Sequence, residues 1–416
     1  MEFLEELCPP QRTILTPGPV EVDPRILRVM GMPVLGQFDP EFTGLMNETM
    51  VLLRQVFQTS NEQAYAVDGT SRAGLEAVLC SIIEPGDRVL IPVIGRFGYL
   101  LAEIAQRCRA EVKTLEVEWG HVIQPEQIEQ QLANERFKLV AMVHGETSTC
   151  TIQPLEGIGA LCEKYGALLA VDAVATLGGT EVRVDDWKLD ACISGMQKCL
   201  SGPSGMSPLT YNWKVEKILA ARKKIERGLQ YGIENTACSS IIQSNYLDLA
   251  QLQDYWGPQR LNHHTEATTA LYALREALRC ILKEGLQKRF HRHRLNGEAL
   301  MAGIEAMGLG IFGDGRNRMP FVVPVVIPAG IDGGSVRRQL LVDFGIEIAA
   351  SFGPLKDRIW RIGAMGYSSQ KRNILFCLAA LEAVLRAHGF RTSPGGAVDA
   401  ALHVYQEEEK RNGTGA

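Results

Sequence analysis

Leu139-Val-Ala-Met-Val143 and Leu168-Leu-Ala-Val171 are short runs without a polar residue, and the stretch between them, Leu155 to Tyr165, carries a helical pattern. A strand that is apolar on both faces must be covered on both faces, and a helix joining two such strands is the crossover of a parallel pair. The same grammar continues outward in both directions. Arg88-Val-Leu-Ile-Pro-Val93 reads as a strand, Tyr99 to Cys108 as a helix and Glu111 to Val117 as an alternating strand. Ala191-Cys-Ile-Ser194 and Pro208-Leu-Thr-Tyr211 complete the series. From about Ala64 to Tyr211 the chain is therefore expected to be α/β, a mainly parallel sheet flanked by helices.

A long helical stretch, Glu266 to Glu284, follows, and the pattern restarts with Phe321 to Ile327 and a helix near Ser335 to Phe344. Strands around Ile346 to Ala350 and Ile359 to Ile362, then a helix near Lys371 to Arg386, predict a smaller α+β domain. The expected organisation is an N-terminal arm (1–22), a large domain (23–270), a small domain (271–390) and a tail (391–416). The tail begins with a Gly/Pro-bearing linker and holds a short amphipathic helix, Ala401 to Glu408, before a polar end.

The 416 residues are 46% apolar and 22% charged, enough for sizeable buried cores. A net charge of -5 gives no general electrostatic reason to bind nucleic acid or anionic lipid. Ten cysteines are scattered without a C-x-x-C pair or zinc-like spacing, so free thiols in a reducing compartment and no metal are expected. The acidic start lacks the basic and apolar regions of a signal peptide, and no apolar run reaches the ~18 residues that span a bilayer. The expected location is the cytoplasm, with no membrane partner.

In an open α/β sheet, ligands bind beyond the carboxyl ends of the strands. Four features fall there. Asp68-Gly-Thr-Ser71 opens a helix, where Thr70, Ser71 and free backbone N–H groups can meet an anion; an ordinary N-cap is the alternative. Asp172 ends an apolar strand, either to cap the next turn or to hold a cationic nitrogen. Lys198 lies in an uncharged Gly/Ser-rich loop beside Gln197 and Cys199; if buried, its amine loses basicity and becomes a nucleophile toward a carbonyl. Arg361, on a strand-like segment, can clamp a carboxylate or form a surface ion pair. Together they are the set that pyridoxal phosphate chemistry needs: an aldehyde-trapping lysine, an acid for the pyridine nitrogen and an anchored phosphate.

Leu15-Thr-Pro-Gly-Pro19, Gly69-Thr-Ser71, His144-Gly-Glu-Thr-Ser148, Val171-Asp-Ala-Val174, Gln197-Lys198, His263-His-Thr265 and Trp360-Arg-Ile-Gly363 occur in that order. The set resembles the class V aminotransferases of pyridoxal phosphate fold type I, over the chain to about His388. The resemblance implies pyridoxal 5'-phosphate as cofactor and Lys198 as the lysine that carries it. It implies Asp172 under the pyridine nitrogen, and Thr70, Ser71 and Gln197 on the phosphate. Thr265 would reach the same phosphate from a neighbouring subunit, which makes a homodimer with composite sites. Thr147 would lie near the ring hydroxyl, Phe97 on the ring face where many relatives have Trp, and Arg361 on the substrate carboxylate.

The implied reaction is ping-pong transfer of the amino group of (S)-ureidoglycine to glyoxylate, giving oxalurate and glycine in purine (allantoin) catabolism. Alanine or serine with glyoxylate or pyruvate is the alternative. Relatives acting on alanine tend to carry Tyr where this chain has Asn262, and the resemblance places Gln37 near the substrate as a second amide. Both amides suit a ureido group or simply tie loops together. Cysteine desulfuration would need a nucleophilic thiol in Ala349 to Asp357, which offers Ser351 but no Cys. A non-enzymatic regulator would normally bring a DNA-binding module, and a nicotinamide dehydrogenase a G-x-G-x-x-G after the first strand; neither is visible.

Overall fold

The computed structural model describes residues 6–229 and 240–413. A two-residue strand, β1 (Thr13–Ile14), precedes two helices, α1 (Pro24–Met30) and α2 (Pro40–Phe57). Both helices begin alike. An aspartate, Asp23 or Asp39, accepts a backbone N–H of the first turn, and proline takes a first-turn position where no intrahelical donor is needed.

Strands and helices then alternate: β2 (Gln63–Gly69), α3 (Ser71–Ile82), β3 (Arg88–Val93), α4 (Arg96–Arg107), β4 (Glu111–Glu116), α5 (Pro125–Asn134) and β5 (Leu139–Val143). A small ribbon, β6 (Gly145–Glu146) with β7 (Thr151–Ile152), leads to α6 (Ile158–Lys164), β8 (Leu168–Asp172), β9 (Ala191–Ile193) and β10 (Gly205–Tyr211). The large sheet has the order β2-β10-β9-β8-β5-β3-β4. β10 runs antiparallel to β2 and β9, while the β9-β8-β5-β3-β4 pairs are parallel. Central β5 is buried throughout, whereas edge strand β4 exposes Glu111, Thr114 and Glu116, charge that discourages edge-to-edge pairing.

Three helices, α7 (Trp213–Arg222), α8 (Leu249–Trp256) and α9 (Thr268–Glu284), complete the first core. In α9, Leu271, Leu274, Leu278 and Ile281 recur at spacings of three and four and join that core with Ile26, Met46 and Leu53. Gly285, at φ +87°, then turns the chain into α10 (Leu286–Ala306). The second core is built on β11 (Val322–Val326), α11 (Gly333–Phe344), β12 (Ile346–Glu347), β13 (Ala349–Ala350), β14 (Ile359–Gly363) and α12 (Lys371–Ala387). Strands β11, β14 and β13 form an antiparallel sheet, and β1 pairs with β12 in parallel.

Three features differ from the sequence expectation. The helix expected to open the small domain packs with the large one, because its apolar stripe faces α1 and α2; the cores part near Gly285. The strand expected around 346–350 is two short strands with different partners. The tail is a long helix, α13 (Gly396–Gly413), whose Ala397, Ala401 and Tyr405 enter the second core, with the Tyr405 hydroxyl donating to Asn296 Oδ1 at 2.7 Å. The described cysteines are free thiols, and Cys238 lies outside the described residues. No helix among the described residues is long and apolar enough to cross a membrane.

Candidate active site at the carboxyl edge of the sheet

The loops that leave β2, β3, β5, β8 and β9 converge on a cavity of about 380 Å³. Thr70, Ser71, Phe97, Thr147, Asp172, Gln197 and Lys198 all line it, together with Gly18 and Pro19 of the N-terminal arm. Each of those seven residues comes from a different turn or neighbouring position of the sheet's rim, so the parallel topology itself brings them together.

At one end is the start of α3. Thr70 is its extended N-cap residue and makes no side-chain cap, so its hydroxyl and the helix's free N–H groups are uncommitted. Gln197 Nε2 donates to Ser71 Oγ at 2.6 Å, and Gln197 Oε1 is buried without a partner. Gly195 makes the approach possible: a Cβ there would lie 1.9 Å from Ser71 Oγ. The Thr70 and Ser71 hydroxyls and the free N–H groups of this helix N-terminus form a cradle of donors suited to a phosphate, toward which the Gln197 amide would present its NH₂ group.

Deeper in, one oxygen of Asp172 accepts the Val174 N–H at 2.9 Å. Burial pushes its pKa up to about 7, so the site favours a cationic partner for the ionised acid. Lys198 donates to the carbonyl of Pro17, in the Pro17-Gly18-Pro19 turn of the arm. Burial first, and then the charge of Arg361, lower the pKa of this amine to about 8. Gly18 has φ +111°, and a Cβ there would collide with Lys198 Cδ at 2.3 Å. The Pro17-Gly18-Pro19 composition signals a tight turn; its packing against Lys198 becomes visible only in the fold.

Arg361 is buried on β14. Its Nε donates to the Ala350 carbonyl and its Nη1 to the Thr147 carbonyl, both at 2.8 Å, and the Phe352 ring lies 4.8 Å from its guanidinium carbon. Among the described residues no carboxylate forms an ion pair with it. A buried guanidinium left without an acid is costly unless a ligand anion meets it.

Three candidates lie elsewhere in the chain. Gln37 Nε2 donates to Asn262 Oδ1 at 2.9 Å, and Gln37 Oε1 accepts the Glu266 N–H at 3.3 Å. Thr265 is exposed on the same segment. None of the three lines this chain's own cavity. The segment is tied to the cradle, because the Ala267 N–H donates to Asp68 at 2.9 Å, just before Gly69 and Thr70. Burial, with Asp68 alongside, pushes the Glu266 carboxyl well above the ordinary range.

The profile of the aminotransferase class-V family matches residues 33–353. This chain belongs to the class V aminotransferases. It is 62% identical over 408 residues to the (S)-ureidoglycine–glyoxylate transaminase of Bacillus subtilis (strain 168), covering 98% of each chain. It is 33% identical to the alanine–glyoxylate aminotransferase of Drosophila melanogaster, covering 91% of this chain and 93% of that one. A crystal structure of ureidoglycine–glyoxylate aminotransferase from Bacillus subtilis superposes with a TM-score of 0.92 at 60% identity, covering 97% of this chain and 100% of that one. Class V aminotransferases are pyridoxal phosphate enzymes, and the fold here is pyridoxal phosphate fold type I.

The cavity fits that cofactor by its own chemistry. It offers a desolvated amine, a buried acid in want of a cation, and a phosphate cradle of hydroxyls and free N–H groups at the start of α3. Only the neutral amine of Lys198 attacks an aldehyde. Covalent uptake of added pyridoxal phosphate by the apoprotein should therefore accelerate as pH rises to about 8 and level off above it. Stopped-flow absorbance across that range checks it; uptake still rising toward the usual lysine value of 10.5 would mean that the amine is not desolvated.

Proposed function

We propose that this aminotransferase moves the amino group of (S)-ureidoglycine to glyoxylate, giving oxalurate and glycine. The observation that carries the reading is the 62% identity, over almost the full length of both chains, to the Bacillus subtilis transaminase of that name. The pairing of two amides, Gln37 with Asn262, supports it. An amide pair offers both donors and acceptors, which a ureido group can use and a methyl side chain cannot.

Pyridoxal phosphate supplies an aldehyde that takes up the amino group and a cationic ring that accepts the electrons left when the α-proton departs. In this reading the protein does the rest. Thr70, Ser71 and Gln197 hold the phosphate, Phe97 covers a ring face and Thr147 faces the ring hydroxyl. Asp172 holds the proton on the ring nitrogen. Lys198 anchors the resting cofactor and then, freed, moves the substrate's α-proton; an amine with a pKa of about 8 suits that task near neutral pH. Arg361 holds the substrate carboxylate in place of its missing acidic partner.

The reading includes a homodimer with two composite sites, in which Thr265 of each chain serves the other chain's phosphate. Its support is that Gln37, Asn262 and Thr265 lie together off the chain's own cavity, with Thr265 and Asn262 exposed. A cytoplasmic setting belongs to the same reading, supported by the scattered free thiols.

Replacing Asn262 with tyrosine tests the donor. The ratio of kcat/KM for ureidoglycine over alanine should fall by at least about tenfold, since a site built to hydrogen-bond a substrate discriminates strongly once that capacity is lost. Parallel half-reactions with each donor, followed by the cofactor's visible absorbance, measure it. An unchanged ratio removes the amides from substrate recognition.

A further inference from the structure

Glu146 is fully buried on β6, beside the cavity, and the residue assignments above give it no task. Protein N–H and O–H donors surround its carboxyl group. Oε2 accepts the Phe97 backbone N–H at 2.8 Å. Oε1 accepts the Ser148 N–H at 3.0 Å and the Ser148 hydroxyl at 2.6 Å. That hydroxyl in turn accepts the Arg96 N–H at 3.0 Å. Arg96 and Phe97 open α4, whose N-cap residue, Gly95, has no side chain to cap with. Glu146 and Ser148 therefore cap α4 from another segment of the chain. Gly95 permits the approach: a Cβ there would stand 2.4 Å from Glu146 Cγ.

The same carboxylate is linked to the opposite wall of the cavity. Thr147, between Glu146 and Ser148, gives its carbonyl to Arg361 Nη1 at 2.8 Å. The Ser148 carbonyl accepts the Ser351 hydroxyl at 2.6 Å, from the loop that follows β13. One side chain thus fixes the backbone at Phe97, the backbone at Ser148 and, through a single peptide unit, the contact that aims Arg361. Burial raises the pKa of Glu146, but the Ser148 and Phe97 donors favour the ionised form.

We propose that Glu146 is a positioning residue of the transamination, holding the aromatic wall at Phe97 and the carboxylate clamp at Arg361 in one fixed relation across the cavity. The proposal rests on the parts given above to Phe97 and Arg361. It goes beyond them by assigning their mutual geometry to a side chain that does not itself line the cavity.

Glu146→Gln keeps the shape and turns an amide N–H toward a donor on one side or the other. In the holoenzyme, the visible circular dichroism of the bound cofactor should change, and KM for ureidoglycine should rise roughly tenfold, with a smaller change in kcat. A role confined to capping α4 would lower the thermal midpoint of the apoprotein and leave both readouts alone. Glu146→Asp, which keeps the charge but falls short by one methylene, is measured in parallel in case the amide variant is insoluble. Wild-type dichroism and KM in either soluble variant overturn the proposal, as does failure of both variants to fold, which would make Glu146 a folding residue. A wild-type holoenzyme without cofactor dichroism would instead strike at the site assignment itself.

Discussion

Lys198→Ala should yield a folded protein that takes up no cofactor covalently and turns over roughly 10⁴-fold more slowly than wild type. The size follows from what one amine is asked to do. In the proposed reaction it would anchor the cofactor between turnovers and carry the substrate's α-proton. General acid–base catalysis by a positioned group alone contributes about 10² to 10⁴-fold. Little stability is at stake, because the ammonium is buried with the carbonyl of Pro17 as its hydrogen-bond acceptor and with Arg361 repelling it. Far-ultraviolet circular dichroism should therefore be unchanged. Borohydride reduction followed by peptide mass spectrometry gives the decisive comparison: a pyridoxyl adduct on the Lys198 peptide of wild type and none in the variant. Near-normal turnover in the variant, or an adduct on another lysine, would remove Lys198 from the reaction.

The burial of Lys198 at the cavity was legible in the sequence because a lysine with no nearby acid, in a Gly/Ser loop after an apolar strand, makes a poor surface pattern. The central strands of the large sheet were legible for a related reason: burial on both faces leaves no polar residue to confuse the reading, as in Leu139–Val143, whereas no strand was read at β2, which carries Gln63 and Asp68. Long helix α10 shows the opposite case. It buries Arg289, His293 and Asn296, at spacings of four and three, along with apolar residues. Arg289 is satisfied by the carbonyls of Gly178 and Cys199, and His293 accepts the Gly366 N–H at 2.8 Å. A helix with three polar residues in its buried stripe hides its periodicity from a reading based on apolar spacing. Glu146 went unassigned on similar grounds. A glutamate is read as surface until its donors, spread over Phe97 and Ser148, are assembled by the fold. The antiparallel placement of β10 between β2 and β9 was equally hidden, since a run such as Pro208 to Tyr211 carries no mark of direction.

Asp172→Asn separates function from stability more sharply than any other change at this site. The amide is isosteric and can still accept the Val174 N–H through its carbonyl oxygen, so the turn after β8 keeps its geometry. What is lost is the negative charge that would hold a proton on the ring nitrogen. Removing one preorganised electrostatic contact of this kind typically costs about 10² to 10³-fold in kcat. The apoprotein should respond in the opposite sense. In the fold, burial moves the acid from the usual 3.8 up to about 7, so the native state binds the proton more tightly than the unfolded chain does. Ionisation therefore penalises the folded apoprotein. This contribution worsens as pH rises from about 3.8 and is complete above about 7. The variant escapes it. Denaturant midpoints of apo Asp172→Asn should match wild type at low pH, exceed it increasingly as pH rises to about 7, and hold a constant advantage beyond. In the proposed reaction the cationic ring of the bound cofactor would offset that cost. If the variant is both inactive and less stable than wild type above pH 7, Asp172 is a structural acid and the electronic control of the ring lies elsewhere.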